Sequence, residues 1–141
     1  MIHFQLVALT GTKFDGDVYE VILPTLDGEI GVLQDHMPLV SVAAIGVVAV
    51  RKNEKDADRE REYFAISGGV VEVSDNTLRV LVDEADDAAT ISVAEAEAAM
   101  ERAKKMHAEA KDEVSLEHAQ QLVDRHAVRL HVASLKRRHQ K

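Results

Sequence analysis

Seven histidines, a serine ahead of paired glycines and 25 acidic side chains are the groups in this sequence that could do chemistry. Metal binding or acid–base catalysis needs such groups at defined spacings. No histidine pair stands in an HExxH arrangement, and His118, His126 and His131 are spaced eight and five apart. Those separations let them share a helix face without matching a ligand motif, so they read as surface histidines on a basic helix. Ser67 precedes Gly68-Gly69 but lacks the GxSxG elbow that exposes a nucleophile on a strained turn. Neither GxGxxG nor GxxxxGK occurs, so no loop carries a phosphate-cradling signature. Carboxylates are plentiful because the chain is acidic, and spacing singles out no acid–base pair. The expectation is a chain with no catalytic residues and no metal set.

The elements that could position any of these groups are bounded by composition. A chain of 141 residues, 46% apolar and 30% charged, can bury one ordinary core with a smaller appendage beside it. The absence of cysteine removes disulfides and thiolate metal sites. The start, Met1-Ile2-His3-Phe4-Gln5, has neither the basic opening nor the apolar stretch of a secretory signal. The longest apolar run, residues 39–50, is interrupted by Gly46 and falls short of the roughly 20 residues that cross a bilayer. Membrane association would go through a partner, and cytoplasm is the default compartment.

The net charge of -8 is unevenly placed. Residues 1–91 carry 7 Lys/Arg against 17 Asp/Glu, whereas residues 115–141 carry 6 against 2. An acidic body argues against nucleic acid as a partner. The basic tail is either a solvated helix face or a surface that pairs with acidic groups on this chain or another.

Up to residue 82 the sequence alternates short Val-, Ile- and Leu-rich runs with Gly, Asp, Asn and Pro, which predicts strands joined by tight turns. The runs are 2–9, 18–23, 28–33, 39–45, 47–51, 61–67, 70–73 and 77–82, spaced as in a sandwich or barrel. Residues 52–60 are almost wholly polar and predict a solvated hairpin loop whose charges form no site. Asp75-Asn76 supplies turn chemistry for a second hairpin, and Gly68-Gly69 marks a bend or a close backbone approach.

The segment 84–90 has no strand signal and marks a domain boundary, giving a β domain over 1–87 and a helical unit over 88–141. Ser92 with Glu95 predicts a capping box, followed at helical spacing by Val93, Ala96, Met100, Ala103, His107 and Ala110. Residues 111–114 break the pattern. Ser115 then caps a second helix with the stripe Leu116, Ala119, Val123, Ala127, Leu130 and Ser134. So short a connection makes an antiparallel hairpin. Its seam is rich in alanine, which contributes little burial, so the hairpin is held modestly. Such an element either stays fixed or has two arrangements separated by a few kcal/mol.

Gly28-Glu29-Ile30-Gly31-Val32-Leu33-Gln34-Asp35-His36-Met37-Pro38-Leu39 resembles the G-E-(I/L)-G-(I/V)-L-P-G-H-x-P-L stretch of ATP synthase epsilon subunits. Ile66-Ser67-Gly68-Gly69-Val70-Val71-Glu72-Val73, with Asn76, Val80, Leu81, Val82 and Asp83, is similar to a second block of that delta/epsilon family. Gln34-Asp35 replaces the usual Pro-Gly, and the loop 52–60 is longer than is common in the family.

The resemblance implies a β-sandwich followed by an antiparallel two-helix hairpin. It also implies a non-catalytic central-stalk subunit of the proton-translocating ATP synthase, peripheral to the cytoplasmic side of a bacterial cell membrane. Implied partners are the gamma subunit, the c-subunit ring and, through the C-terminal helices, the catalytic α/β subunits. Glu29 falls where the family turn contacts the ring, and His36 where it lies near gamma. Some bacterial members bind ATP on the hairpin through an (I/L)-D-x-x-R-A motif and further arginines. Here Ser92 and Glu95 take the places of the acid and the arginine, while Arg102, Arg125 and Arg129 match the other arginine positions. Those three arginines are therefore candidates for ATP or β-subunit contact, with ATP binding weak or absent and no cofactor expected. A free-standing adaptor built from the same two parts is the alternative, and a hydrolase using Ser67 a third.

Overall fold

The computed structural model describes residues 1–139, with side chains described to residue 136. Ten strands and two helices follow in order: β1 (Ile2–Ala8), β2 (Gly11–Val18), β3 (Glu20–Thr25), β4 (Gly28–Leu33), β5 (Leu39–Ala43), β6 (Gly46–Arg51), β7 (Glu62–Ile66), β8 (Gly69–Ser74), β9 (Thr77–Val82), β10 (Ala85–Asp87), α1 (Val93–Glu109) and α2 (Glu113–His139). The expected β-sandwich followed by a two-helix hairpin is what the chain forms.

The strands pair in the order β10-β7-β6-β3-β5-β8-β9-β1-β2, with β4 beside β3. Every pairing is antiparallel except β1 with β9. The corner between the two layers is β3, which pairs with β6 through residues 20–22 and with β5 through Thr25. Gly46 is needed at that corner, because a Cβ there would stand 2.8 Å from Pro24 Cγ.

Alternate residues point inward and meet in one core, in which Ile2, Phe4, Leu6, Leu23, Phe64, Ile66 and Leu78 are fully buried. On β6 and β7 the outer residues Val47, Ala49, Tyr63 and Ala65 are covered too, by Val128, Val132 and Leu135 of α2. Burial on both faces is why these strands read as unbroken apolar runs.

Four expectations need correction. Strand β2 was not expected, since Gly11, Asp15, Gly16 and Asp17 are poor strand formers. It is an edge strand held through its backbone to β1 and by Phe14, whose ring lies 5.3 Å from Phe4 and 6.2 Å from Phe64. The segment 84–90 does contain a strand, β10, which pairs Ala85 with Ile66 and Asp87 with Phe64. Helix α2 is capped by Asp112, whose carboxylate accepts the Ser115 N–H at 2.7 Å, so Ser115 is the donor and not the cap. The stripe of α2 is also rotated from the expected one, since Ala127 is exposed while Val132 and Ala133 are buried. The reason is that α2 serves two neighbours, α1 on one side and the sheet on another.

Other local expectations stand. Ser92 caps α1 by accepting the Glu95 N–H at 3.3 Å, and Ala96 and Ala103 of the expected stripe are buried. Asp75 and Asn76 take the positive φ values of 49° and 56° that a tight hairpin requires. Gly69 marks a close approach, because a Cβ there would lie 2.0 Å from the Leu81 carbonyl oxygen.

Candidate functional site

Two features outside the core could do work, an arginine cleft under the hairpin and a bare apolar face on the opposite layer. The cleft lies between α1, α2 and the strand β10, has a volume of 430 Å³, and brings Arg102, Arg125 and Arg129 together. Arg125 and Arg129 stand one turn apart on α2. Each meets a carboxylate: Arg125 Nη2 pairs with Glu84, and Arg129 Nε lies 3.1 Å from Asp86 Oδ2. The second contact is an ion pair without hydrogen-bond alignment, since Arg129 Nε has no hydrogen-bond partner. Glu95 lines the same cleft, and so does His126, whose Nδ1 lies 3.3 Å from Arg129 Nη1.

Burial and the neighbouring charges of Arg129, Arg125 and Arg102 hold His126 below its ordinary value of 6.5, against an opposing pull from Asp86. Burial, then the charge of Arg129, lowers Arg125 from its usual range.

Sequence reasoning had no signal for Glu84 or Asp86, because the segment that carries them was read as a loop, and it placed His126 on a helix surface, whereas that residue lines the cleft. Ser67 is not set up as a nucleophile. Its hydroxyl donates to the Glu84 carbonyl at 3.2 Å and accepts the Glu84 N–H at 2.9 Å, while its own N–H donates to that carbonyl at 3.0 Å. Among the described residues no group of three or more His, Asp or Glu is arranged to hold a metal ion.

Glu29 and His36 are not brought together. Glu29 sits at the start of β4, beside a shallow pocket that also holds Arg61, Tyr63 and His131. His36 lies beyond the other end of that strand, its Nδ1 2.7 Å from the Met37 carbonyl oxygen. In the turn before it, Asp35 adopts φ 60°, so an aspartate takes the left-handed position where the resembling sequences have glycine. Asn76 ties this turn to the N-terminus, accepting the Asp35 N–H at 2.8 Å and donating to the Met1 carbonyl at 2.9 Å.

The loop 52–60 is largely exposed, as expected, but not all of its charges are free. Asp58 receives Arg51 at 3.1 Å and Arg61 at 3.2 Å, and both arginines lie within 3.9 Å of Glu20. Asp58 is thereby fastened to β6 and to the residue ahead of β7, through arginines that also reach Glu20 of β3.

On the layer that no helix covers, Val42 pairs with Val70 and Val70 with Leu81, so three apolar side chains form a row across β5, β8 and β9. Val40 extends it. These residues are 45 to 75% exposed, a contiguous apolar face where isolated apolar residues would be unremarkable.

A sandwich with such a face and a C-terminal helix pair defines the class: residues 1–88 match the family described as ATP synthase, delta/epsilon chain, β-sandwich domain. The chain is similar to the ATP synthase epsilon chain of Ligilactobacillus salivarius, 44% identical over 104 residues, covering 70% of this chain and 72% of that one. It is 34% identical over 133 residues to that of Halalkalibacterium halodurans, covering 94% and 96%. A chain in the Euglena gracilis mitochondrial ATP synthase structure of OSCP, F1 and c-ring has a TM-score of 0.76 at 22% identity, covering 95% of this chain and 81% of that one. The chain belongs to the ATP synthase epsilon chain family, as a subunit of an enzyme complex.

Proposed function

We propose that this chain is the non-catalytic central-stalk subunit that couples the catalytic head to the c ring and restrains ATP hydrolysis through its C-terminal helices. The observation that carries the reading is the apolar row of Val42, Val70 and Leu81, bare on one layer while α2 covers the other. A rotor subunit needs one face for its partner and one for its regulator. The partner of the bare face is the gamma subunit, with His36 beside it. Glu29 meets the c ring, and the complex holds the chain at the cytoplasmic side of a bacterial membrane. Among the described residues no helix is long and apolar enough to cross one, so attachment is through partners.

The hairpin works in two positions. Docked, Arg125 and Arg129 are engaged within the chain; undocked, they and the rest of the basic helix reach acidic residues of the catalytic β subunits. Exposed ion pairs contribute only about 0.2 to 1 kcal/mol each, so several act together. ATP binds the cleft weakly, because Glu95 and the two paired carboxylates oppose its phosphates.

The test is a pull-down from detergent-solubilised membranes. The tagged chain should retain gamma and the catalytic head, and Val42→Asp with Val70→Asp should lose both, since each places a charge where the partner is apolar. A double variant that retains gamma as well as the parent chain does would rule out this face as the docking surface.

A further inference from the structure

The arginine cleft contains its own anions. Glu84 and Asp86 are two residues apart on an extended segment, a step of roughly 6.6 Å, while Arg125 and Arg129 are four apart on a helix, a step of about 6 Å. Two carboxylates and two guanidiniums are thus matched in register, Arg125 to Glu84 and Arg129 to Asp86. The backbone that carries both acids is held by contacts that do not involve the helix. Ser67 clamps the Glu84 backbone in both directions, and pairing of β10 with β7 sets Asp86 opposite Ala65. Preorganised partners lose little freedom on contact, so the pairs contribute more than mobile surface charges of the same kind.

The rest of the attachment is apolar: Val128, Val132 and Leu135 of α2 lie over a patch of Ile22, Val47, Ala49, Tyr63, Ala65, Ala88 and Ile91, several of them small. The apolar patch gives the docked hairpin its area, and the charge register adds a contribution that salt and the two acids can tune.

We propose that Glu84 and Asp86 form a two-rung latch that fastens the hairpin to the sheet without any bound ligand, with Ser67 as its positioning residue. The carboxylates stand where phosphates would otherwise be needed to gather the arginines. Docking of this hairpin is therefore set by ionic strength and by the chain's own acids, and a nucleotide is not required. The latch belongs to the isolated chain and operates whether or not the rotor reading holds.

The chain has no cysteine, so Glu54→Cys and Lys105→Cys, both at exposed positions, allow a donor and an acceptor dye to report the hairpin's distance from the sheet. At low salt, Glu84→Gln with Asp86→Asn should lower the docked-to-open ratio about tenfold, given two partly buried pairs. Ser67→Ala should lower it less. Charge exchange across all four positions, Glu84→Arg, Asp86→Arg, Arg125→Glu and Arg129→Glu, should recover docking. In the unexchanged chain the docked fraction should fall between about 0.05 M and about 1 M salt and stay unchanged on adding millimolar ATP. Docking that ignores both the neutralised acids and the salt series would overturn the latch, as would docking that appears only when ATP is added.

Discussion

His3 and His126 show how surroundings shift one residue type in opposite directions in this molecule. His3 on β1 bridges Asp17 at 2.8 Å and Asp15 at 2.7 Å, and the hydrogen bond to Asp17 is the main cause of its raised pKa. A raised value stabilises the folded form fully below 6.5, and that contribution is lost as pH rises through the folded value. His126 has the reverse sign. It faces Arg102 and Glu95 on α1, Arg125 and Arg129 on α2, and Glu84 and Asp86 from the sheet edge. Burial and the three arginines disfavour its charged form when docked, so its contribution is present above 6.5 and lost as pH falls below that. Acidification from pH 7 to about 5.5 should therefore open the hairpin while the β1–β2 pairing holds. The dye-labelled chain reports this, and His126→Gln should flatten the profile. An equally steep profile in the variant would assign the acid response to another group. Nucleotide affinity also belongs to this scale. Calorimetry should give a dissociation constant for ATP no tighter than about millimolar, near -4 kcal/mol. Ser92→Asp with Glu95→Arg should tighten it by exchanging a repelling carboxylate for a phosphate-seeking cation. A micromolar constant in the unaltered chain would show that the arginines win over Glu84 and Asp86.

At the scale of elements, the crossing of β8 and β9 is the least forgiving contact. The ideal Cβ position at Gly69 lies 2.0 Å from the Leu81 carbonyl oxygen, which belongs to backbone and cannot swing aside. Gly69→Ala should cost more than about 3 kcal/mol and lower the urea midpoint accordingly, because two paired strands must separate to admit one methyl group. A loss below about 1 kcal/mol would mean that the crossing is looser than this geometry. Much of the element order was legible from periodicity and turn chemistry. Strands β4 and β9 have the expected limits, the Asp75-Asn76 hairpin forms, and Ser92 caps α1. What stayed hidden has a physical reason in each instance. Strand β2 is made by backbone pairing at an edge and anchored by only two apolar side chains, Phe14 and Val18, too few to give an alternating pattern. Strand β10 is three residues long, and its two acids serve other contacts, Asp86 with Arg129 of α2 and Asp87 with the Ala89 N–H. The face of α2 depends on a sheet that lies far away in sequence, so helical spacing alone gave a stripe meant for α1 only. The three arginines of the cleft were legible one by one, but their carboxylate partners were not, since a charge pair between β10 and α2 leaves no periodic trace.

Among the described residues the sandwich and its contact with the hairpin form two apolar clusters that share no residue, beside the buried alanines Ala96, Ala103, Ala119 and Ala133 of the helices. The inner cluster fills the sandwich and draws on strands alone, whereas the outer one joins α2 to β6, β7 and the turn at Ala88. Removal of the hairpin would leave the inner core intact and expose Val47, Ala49, Tyr63 and Ala65. The sandwich should then still fold and join the rotor, though with a stickier surface. A hairpin biases a two-state system only by its different contacts in the two positions, and those contacts leave with it. The direct measurement is ATP hydrolysis and proton-coupled ATP synthesis in membranes lacking the native subunit, supplied with either the full chain or a chain ending at residue 91. The account predicts that the shortened chain restores synthesis and gives faster hydrolysis than the full chain. Assembly with hydrolysis at the full-chain rate would contradict the hairpin's role as the brake, and failure to assemble would contradict the division between docking sandwich and regulatory helices.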